Sequence, residues 1–251
     1  MTQHLFSSAG RAGLAALAAG RSLLAFDLDG TLAPLVAHPA DARVGSDTAA
    51  RLRALATRWP VAVLTGRETA DASHRLGFRP HYLFGNHGAQ RPGESTRGGL
   101  HDRLDECRTR LAAEFDSLCA RGIEVEDKGL SLALHYRGAA DMQAARTWLE
   151  AFAAALEPTL AATHGHCVLN LAPIGAPDKG DALLDILRDS GATASLVIGD
   201  DTNDEPAFAR APPSSVSVRI APAGTPTCAR FSLPDQGRVD ALLDLLLTLR
   251  R

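Results

Sequence analysis

The sequence predicts a parallel α/β domain interrupted by a smaller α+β module, on three observations. Short continuous apolar runs, of the kind buried on both faces of a sheet, alternate with helical patterns toward both ends of the chain. In the middle the runs alternate apolar and polar residues instead, as half-exposed antiparallel strands do. Gly- and Pro-rich stretches, Arg91-Pro92-Gly93 and Pro173 to Pro177, bracket that middle segment. The expected division is a parallel α/β core of residues 1–91 and 175–251, with an inserted module of residues 92–174.

Each element has its own signal. Residues 12–20 are Ala-rich and periodic, with no Lys or Arg among the first ten positions, so they read as an N-terminal surface helix rather than a cleaved leader. Residues 23–26 (Leu-Leu-Ala-Phe) form the first buried strand. A helix over 46–57 starts on a Ser or Asp cap, and 61–64 (Val-Ala-Val-Leu) is the second strand. A helix over 68–76 and a strand over 82–84 complete the first half. The module reads as a helix over 100–120, strands over 123–125 and 130–136, a helix over 139–156, and strands around 161–163 and 167–171. The core then resumes with a helix over 179–188, strands over 195–198 and 216–218, and a final helix over 239–249.

Composition narrows the function. With 251 residues, 45% of them hydrophobic and 22% charged, the chain has an ordinary globular balance, and wholesale disorder is excluded. A net charge of −3 leaves no electrostatic footprint for nucleic acid or an anionic membrane. No apolar run is long enough to span a bilayer. Cys107, Cys119, Cys167 and Cys228 show no C-x-x-C spacing, which argues against a zinc ribbon or disulfide framework and for a reducing cytoplasm. No feature fixes an oligomeric state.

Two acidic motifs carry the chemistry. Asp27-Leu28-Asp29-Gly30-Thr31 follows the first strand directly, so two carboxylates and a Gly turn stand at the carboxyl edge of the sheet, where open α/β sheets bind ligands. A calcium loop would need its Gly at the sixth position, and Gly30 is at the fourth. Gly199-Asp200-Asp201-Thr202-Asn203-Asp204-Glu205 follows a later strand in the same way. A helix cap accounts for one or two of these acids. The others repel one another unless a cation or a lysine neutralises them, and all-oxygen ligation points to magnesium rather than zinc. Between the two motifs, Thr65-Gly66-Arg67 ends a strand, and Lys179-Gly180-Asp181 opens a helix.

Taken in order, D-x-D-G-T, T-G-R, K-G and G-D-D-x-x-D, the set resembles the haloacid dehalogenase-like (HAD) phosphatase superfamily. By that resemblance the core is a Rossmann-like parallel domain and the inserted module corresponds to a C2-type cap. Within the superfamily the chain is most similar to the trehalose-6-phosphate phosphatase family. That similarity runs over about residues 22–245 and includes Gly85 to Ala89, Glu126 to Leu130, Ala133 to Arg137 and Gly165 to Val168.

The resemblance implies a magnesium-dependent hydrolase of a phosphosugar. Asp27 is the expected nucleophile, forming an aspartyl-phosphate that splits a slow displacement into two steps. Asp29 would protonate the leaving oxygen and then deprotonate the attacking water. Asp27, Asp200 and the Asp29 main-chain carbonyl would hold Mg²⁺. Thr65 and Lys179 would hold the phosphoryl oxygens, with Asp201 and Asp204 behind them. Thr31, Gly66, Arg67 and His87 are expected at the substrate, and in the cap Glu126, Lys128, His166 and Asn170. His166 and Asn170 replace the family's Lys and Glu, and Gln90 replaces a Glu after His87-Gly88. Asn and Gln still hydrogen-bond sugar hydroxyls, but without charge. A phosphatase of another phosphosugar and a sugar phosphomutase or phosphotransferase could use the same Asp27/Asp29 pair; a non-catalytic phosphosugar-binding protein is a third reading, but it gives no reason to keep both that pair and the Asp200 cluster.

Overall fold

The computed structural model describes residues 2–36, 38–91, 100–156, 159–165 and 167–249. The chain begins with β1 (Gln3–His4), α1 (Ser8–Ala19), β2 (Ser22–Phe26) and α2 (Ser46–Ala56). It continues through β3 (Val61–Leu64), α3 (Thr69–Leu76) and β4 (Tyr82–Phe84). The middle comprises α4 (Leu100–Ala113), α5 (Phe115–Ala120), β5 (Glu124–Asp127), β6 (Leu132–His135), α6 (Met142–Ala154), β7 (Leu160–Gly165) and β8 (Val168–Pro173). Then come α7 (Lys179–Ser190), β9 (Ala194–Gly199), α8 (Glu205–Arg210), β10 (Val216–Ile220), β11 (Phe231–Leu233) and α9 (Val239–Thr248). Two compact units result, 1–92 with 177–251 and, separately, 93–176.

In the first unit the described strands form one parallel sheet, in the order β1-β11-β10-β9-β2-β3-β4. Strand alternation sends Leu24, Phe26, Val61, Val63, Leu196 and Ile198 to one face, where they pack with Leu14 and Leu17 of α1, Leu52 and Leu55 of α2, and Leu242 and Leu246 of α9. Leu23, Ala25, Ala62, Leu64 and Val197 point the other way, onto Leu183 and Ile186 of α7 and Phe208 of α8. Both faces are therefore covered, which is why these strands read as unbroken apolar runs. Strand order reverses between β2 and β9, paired from Ser22↔Ala194 to Phe26↔Ile198. That reversal places a crevice at their carboxyl ends.

Three expectations shift. The N-terminal helix starts at Ser8, capped by Ser7, and buries Leu14, Leu17 and Ala18, so it is a core-packing helix rather than a surface one. β1 and β11 are strands that the sequence pattern missed, because at two and three residues they are too short for a periodicity. The long helix expected over 100–120 is broken at Glu114 (φ −95°, ψ 12°), whose N–H is shared between the Arg110 and Leu111 carbonyls at 3.1 and 3.2 Å.

The second unit is an antiparallel sheet in the order β5-β6-β8-β7. Leu132, Leu134, Leu169 and Leu171 share one face and pack with Leu104, Cys107 and Leu111 of α4 and Leu149 of α6. The opposite face carries Glu126, Ala133 and Asn170, aligned by the pairings Glu126↔Ala133 and Ala133↔Asn170.

Candidate active site

Asp27 and Asp200 leave neighbouring strands at the same level. The ladder continues one residue past β2, where the Asp27 N–H donates to the Ile198 carbonyl at 2.9 Å. Asp200 follows the last residue of β9. The turn after Asp29 then folds back against Asp200. Gly30 has φ +78°, and a Cβ there would stand 2.1 Å from Asp200 Oδ2, so only glycine lets the two acidic segments touch.

Lys179 binds the cluster together. Its Nζ donates to Asp27 Oδ1 at 2.6 Å and to Asp204 Oδ1 at 2.7 Å, with the lysine side chain 1% exposed. The start of α7 fixes that placement: Asp178 caps it, Asp181 closes the capping box, and Arg210 grips both acids at 2.8 and 2.6 Å. Burial disfavours the ammonium, but Asp204 and Asp27 outweigh it and hold the Lys179 pKa above the usual lysine value. The other Asp204 oxygen accepts the Asp201 N–H at 3.0 Å. Asp201 in turn accepts from the Thr202 N–H at 2.7 Å and from Asn203 Nδ2 at 3.2 Å. The acidic loop is thus internally braced around the lysine.

One cation does not balance this cluster. Burial pushes the Asp27 carboxyl up; Lys179 opposes the push, and Asp204 and Asp200 add to it. Burial, then Asp204 and Asp201, push Asp200 up to about 7. Asp200 Oδ1 is buried and has no hydrogen-bond partner among the described residues. One oxygen from each of Asp27, Asp200 and Asp204 falls within 4.8 Å of the others. An orphaned buried carboxylate oxygen in an all-oxygen set is what a hard divalent cation fits.

The other expected core residues lie on the segments that end or follow β2, β3 and β4. Asp29 is held by Arg67 through two bonds of 2.7 Å, from Nε to Oδ2 and from Nη2 to Oδ1. Thr65 is fully buried at the end of β3, and its hydroxyl accepts the Arg67 N–H at 3.2 Å. His87 donates its N–H to the Thr65 carbonyl at 2.9 Å. Its ring lies over Gly66, where a Cβ would come within 2.3 Å of His87 Cε1. Gly88 (φ +109°) approaches the start of α7 so closely that a Cβ would stand 2.2 Å from the Asp178 carbonyl oxygen. The segment 86–88 therefore packs on both the Thr65 strand end and the lysine helix. Thr31 is buried, and its hydroxyl has no hydrogen-bond partner among the described residues.

In the second unit Glu126 Oε2 accepts from His135 Nε2 at 2.9 Å and lies 3.6 Å from Lys128 Nζ. Asn170 sits on the same sheet face, and His166 lies outside the described residues. Gln90 turns inward instead. Its Oε1 accepts from the Thr69 N–H and from Asn86 Nδ2, both at 3.1 Å, a pair of bonds a glutamate oxygen would accept equally well.

Sequence reasoning missed three residues here. His135 lies inside the Ala133 to Arg137 stretch that resembles the family, but nothing in the sequence gives it a role of its own. Asp71, 3.0 Å from Arg67, has in sequence only the signature of a first-turn helix acid. Arg219, buried on β10 opposite Gly199 and 3.3 Å from Glu205, was legible as the one charge inside an apolar run, and its positive charge opposes the upward push on Asp200.

Solved structures share this architecture. The C-terminal domain of Candida albicans trehalose-6-phosphate phosphatase superposes with a TM-score of 0.82 at 21% identity, covering 99% of both chains. Sucrose-phosphatase from Synechocystis superposes at 0.58 and 18% identity, covering 90% of this chain and 98% of that one. A parallel core with an inserted α+β cap and acids at the switch point defines the haloacid dehalogenase-like fold. The profile of the trehalose-phosphatase family matches residues 25–235, and the chain belongs to that family. The trehalose-phosphate phosphatase of Mycobacterium avium is 35% identical over 198 residues, 73% of this chain and 49% of that protein. Its counterpart in Mycobacterium bovis is 32% identical over 246 residues, 92% of this chain and 62% of that protein. The chain thus spans about half to three fifths of the length of the curated relatives it matches.

Proposed function

We propose that the chain is a Mg²⁺-dependent phosphatase that hydrolyses trehalose 6-phosphate to trehalose and phosphate through an aspartyl-phosphate on Asp27. The observation that supports this most is the buried Asp27–Lys179–Asp204 arrangement beside the orphaned Asp200 oxygen. It supplies a carboxylate at a strand end, an ammonium to meet phosphoryl oxygens, and surplus negative charge that calls for a cation.

Asp27 attacks phosphorus through one carboxylate oxygen, and the sugar oxygen leaves with a proton from Asp29. Asp29 then takes a proton from the water that attacks the same phosphorus, which releases phosphate and restores Asp27. Lys179 and Thr65 hold the non-bridging oxygens as charge builds on them. Asp27, Asp200 and the Asp29 carbonyl would hold Mg²⁺, which when bound offsets the repulsion between carboxylate and phosphate. Asp204 and Asp201 keep Lys179 and the acidic loop in place. By the family resemblance Thr31, Gly66 and His87 would serve the phosphate, and Glu126, Lys128, His166 and Asn170 the sugar.

Asn170 favours a second reading, a different phosphosugar, since a neutral amide stands where the family carries a carboxylate. The test measures phosphate release from a panel of phosphosugars with Mg²⁺ and no added acceptor, and again in excess chelator. Release from trehalose 6-phosphate that stops in chelator and in Asp27→Asn supports the proposal. Turnover only when a second sugar is added, with the phosphoryl group recovered on that sugar rather than as free phosphate, identifies a phosphotransferase, and faster phosphate release from another phosphosugar identifies the second reading.

A further inference from the structure

Asp29 ends a row of paired charges that the proposed reaction does not yet use. Arg67 grips both of its oxygens at 2.7 Å, and the remaining guanidinium nitrogen, Nη1, donates to Asp71 Oδ2 at 3.0 Å. Arg75 holds Asp71 from the far side, with Nε 2.7 Å from Oδ2 and Nη2 2.6 Å from Oδ1. Arg75 Nη1 also donates to the Ala40 and Ala42 carbonyls at 2.8 and 3.0 Å. Both arginines are largely buried, with side chains 12% and 10% exposed.

The geometry selects a function for the inner pair. A carboxyl group that must give a proton to one oxygen and later take one from a water needs its plane fixed, since an error of about 1 Å at a reacting group can cost on the order of 100-fold in rate. Free on a turn, the Asp29 side chain rotates about two bonds. The parallel bonds of a guanidinium fork fix the carboxyl plane. Arg67 by itself is long and mobile, and Asp71, carried on the first turn of α3, pins its far nitrogen.

We propose that Arg67 and Asp71 are positioning residues for Asp29: the guanidinium, held by Asp71, sets the plane from which Asp29 moves its proton. This rests on the reading of Asp29 as the acid and base of a phosphatase. It gives Arg67 a task other than the substrate contact that its family resemblance implies.

Steady-state and first-turnover kinetics of the full chain test it, on the best phosphosugar substrate and on 4-nitrophenyl phosphate, whose leaving group departs without a proton. Asp71→Asn and Arg67→Lys are expected to lower kcat on the phosphosugar about 10- to 100-fold with KM within about twofold. Both should lower the first-turnover burst of 4-nitrophenolate by less than about threefold, because that step needs no acid. Arg75→Met removes the bonds to the Ala40 and Ala42 carbonyls and keeps the bond from Arg67 to Asp71. It should lower the melting temperature and keep kcat within about threefold. A raised KM with unchanged kcat in Arg67→Lys would make Arg67 a substrate contact and overturn the proposal. Equal losses on both substrates, or Arg75→Met matching Asp71→Asn, would reduce the row to a folding role and overturn it too. Asp29→Asn separates the two failures. If it is fully active, the reading of Asp29 is wrong; if it is inactive while Asp71→Asn is unaffected, only the positioning role is lost.

Discussion

Asp200→Asn should make the cation-free protein more stable, although it removes a residue proposed to be essential. The carboxyl of Asp200 is pushed from an ordinary 3.8 to about 7 by burial and by Asp204 and Asp201. At ~1.4 kcal/mol per unit, ionising it in the folded protein above pH 7 costs up to ~4 kcal/mol relative to the unfolded chain. Its folded pKa lies above its unfolded one, so the folded state binds more protons in between, and stability falls as pH rises through that window. At pH 5 only ~2 kcal/mol of the cost is present. The amide is nearly isosteric and removes the charge. For a chain of this size each kcal/mol moves the melting point by about 2–4 °C, so after partial relaxation Asp200→Asn should melt about 5–10 °C higher at pH 8 in chelator. The gain should roughly halve at pH 5. Mg²⁺ should raise the melting point of the unaltered protein and leave Asp200→Asn nearly unmoved. A variant that melts lower than the parent at pH 8 in chelator, or a gain independent of pH, would refute the idea that Asp200 is an uncompensated charge.

Lys179→Met should have the opposite effect. It strands Asp27 and Asp204, each bonded to Nζ within 2.7 Å, and breaking such a buried pair costs about 3–5 kcal/mol. Thermal melts in chelator should show a fall of about 10 °C, and an unchanged melting point would remove Lys179 as the neutralising partner. Glu126→Ala and Lys128→Ala should each lower kcat/KM for trehalose 6-phosphate about 10-fold or more while changing hydrolysis of a small aryl phosphate much less. Equal losses on the two substrates would assign these residues to folding of the cap sheet, where Glu126 already bonds His135.

Much of the fold was legible because burial on both faces leaves a local mark. β2, β3 and β9 carry the apolar runs 23–26, 61–64 and 196–198 and are each buried throughout, as strands covered on both faces are. The acids at 27, 29 and 200 were legible for a similar reason, since charges placed directly after such runs must lie at a sheet edge. β1 and β11 left no mark, because a two- or three-residue strand is defined by its partner's backbone rather than by its own pattern. Gln90 misled by its identity, since its substitution for Glu bears on a backbone N–H and an amide that accept either residue.

Residue types and their order are fixed locally: two carboxylates after one strand, four more after another, a lysine at a helix start, and an inserted module between glycines and prolines. Only the tertiary structure decided which of these charges meet. Lys179 lies 152 positions from Asp27 and 25 from Asp204, and sequence separation carries no information about a hydrogen bond made across a strand reversal. The same holds for Asp29, whose fork with Arg67 spans 38 positions and exists because β2 and β3 are neighbours in register. Periodicity records which side of an element is buried. Which buried charge faces which is fixed by strand order, and strand order belongs to the whole sheet.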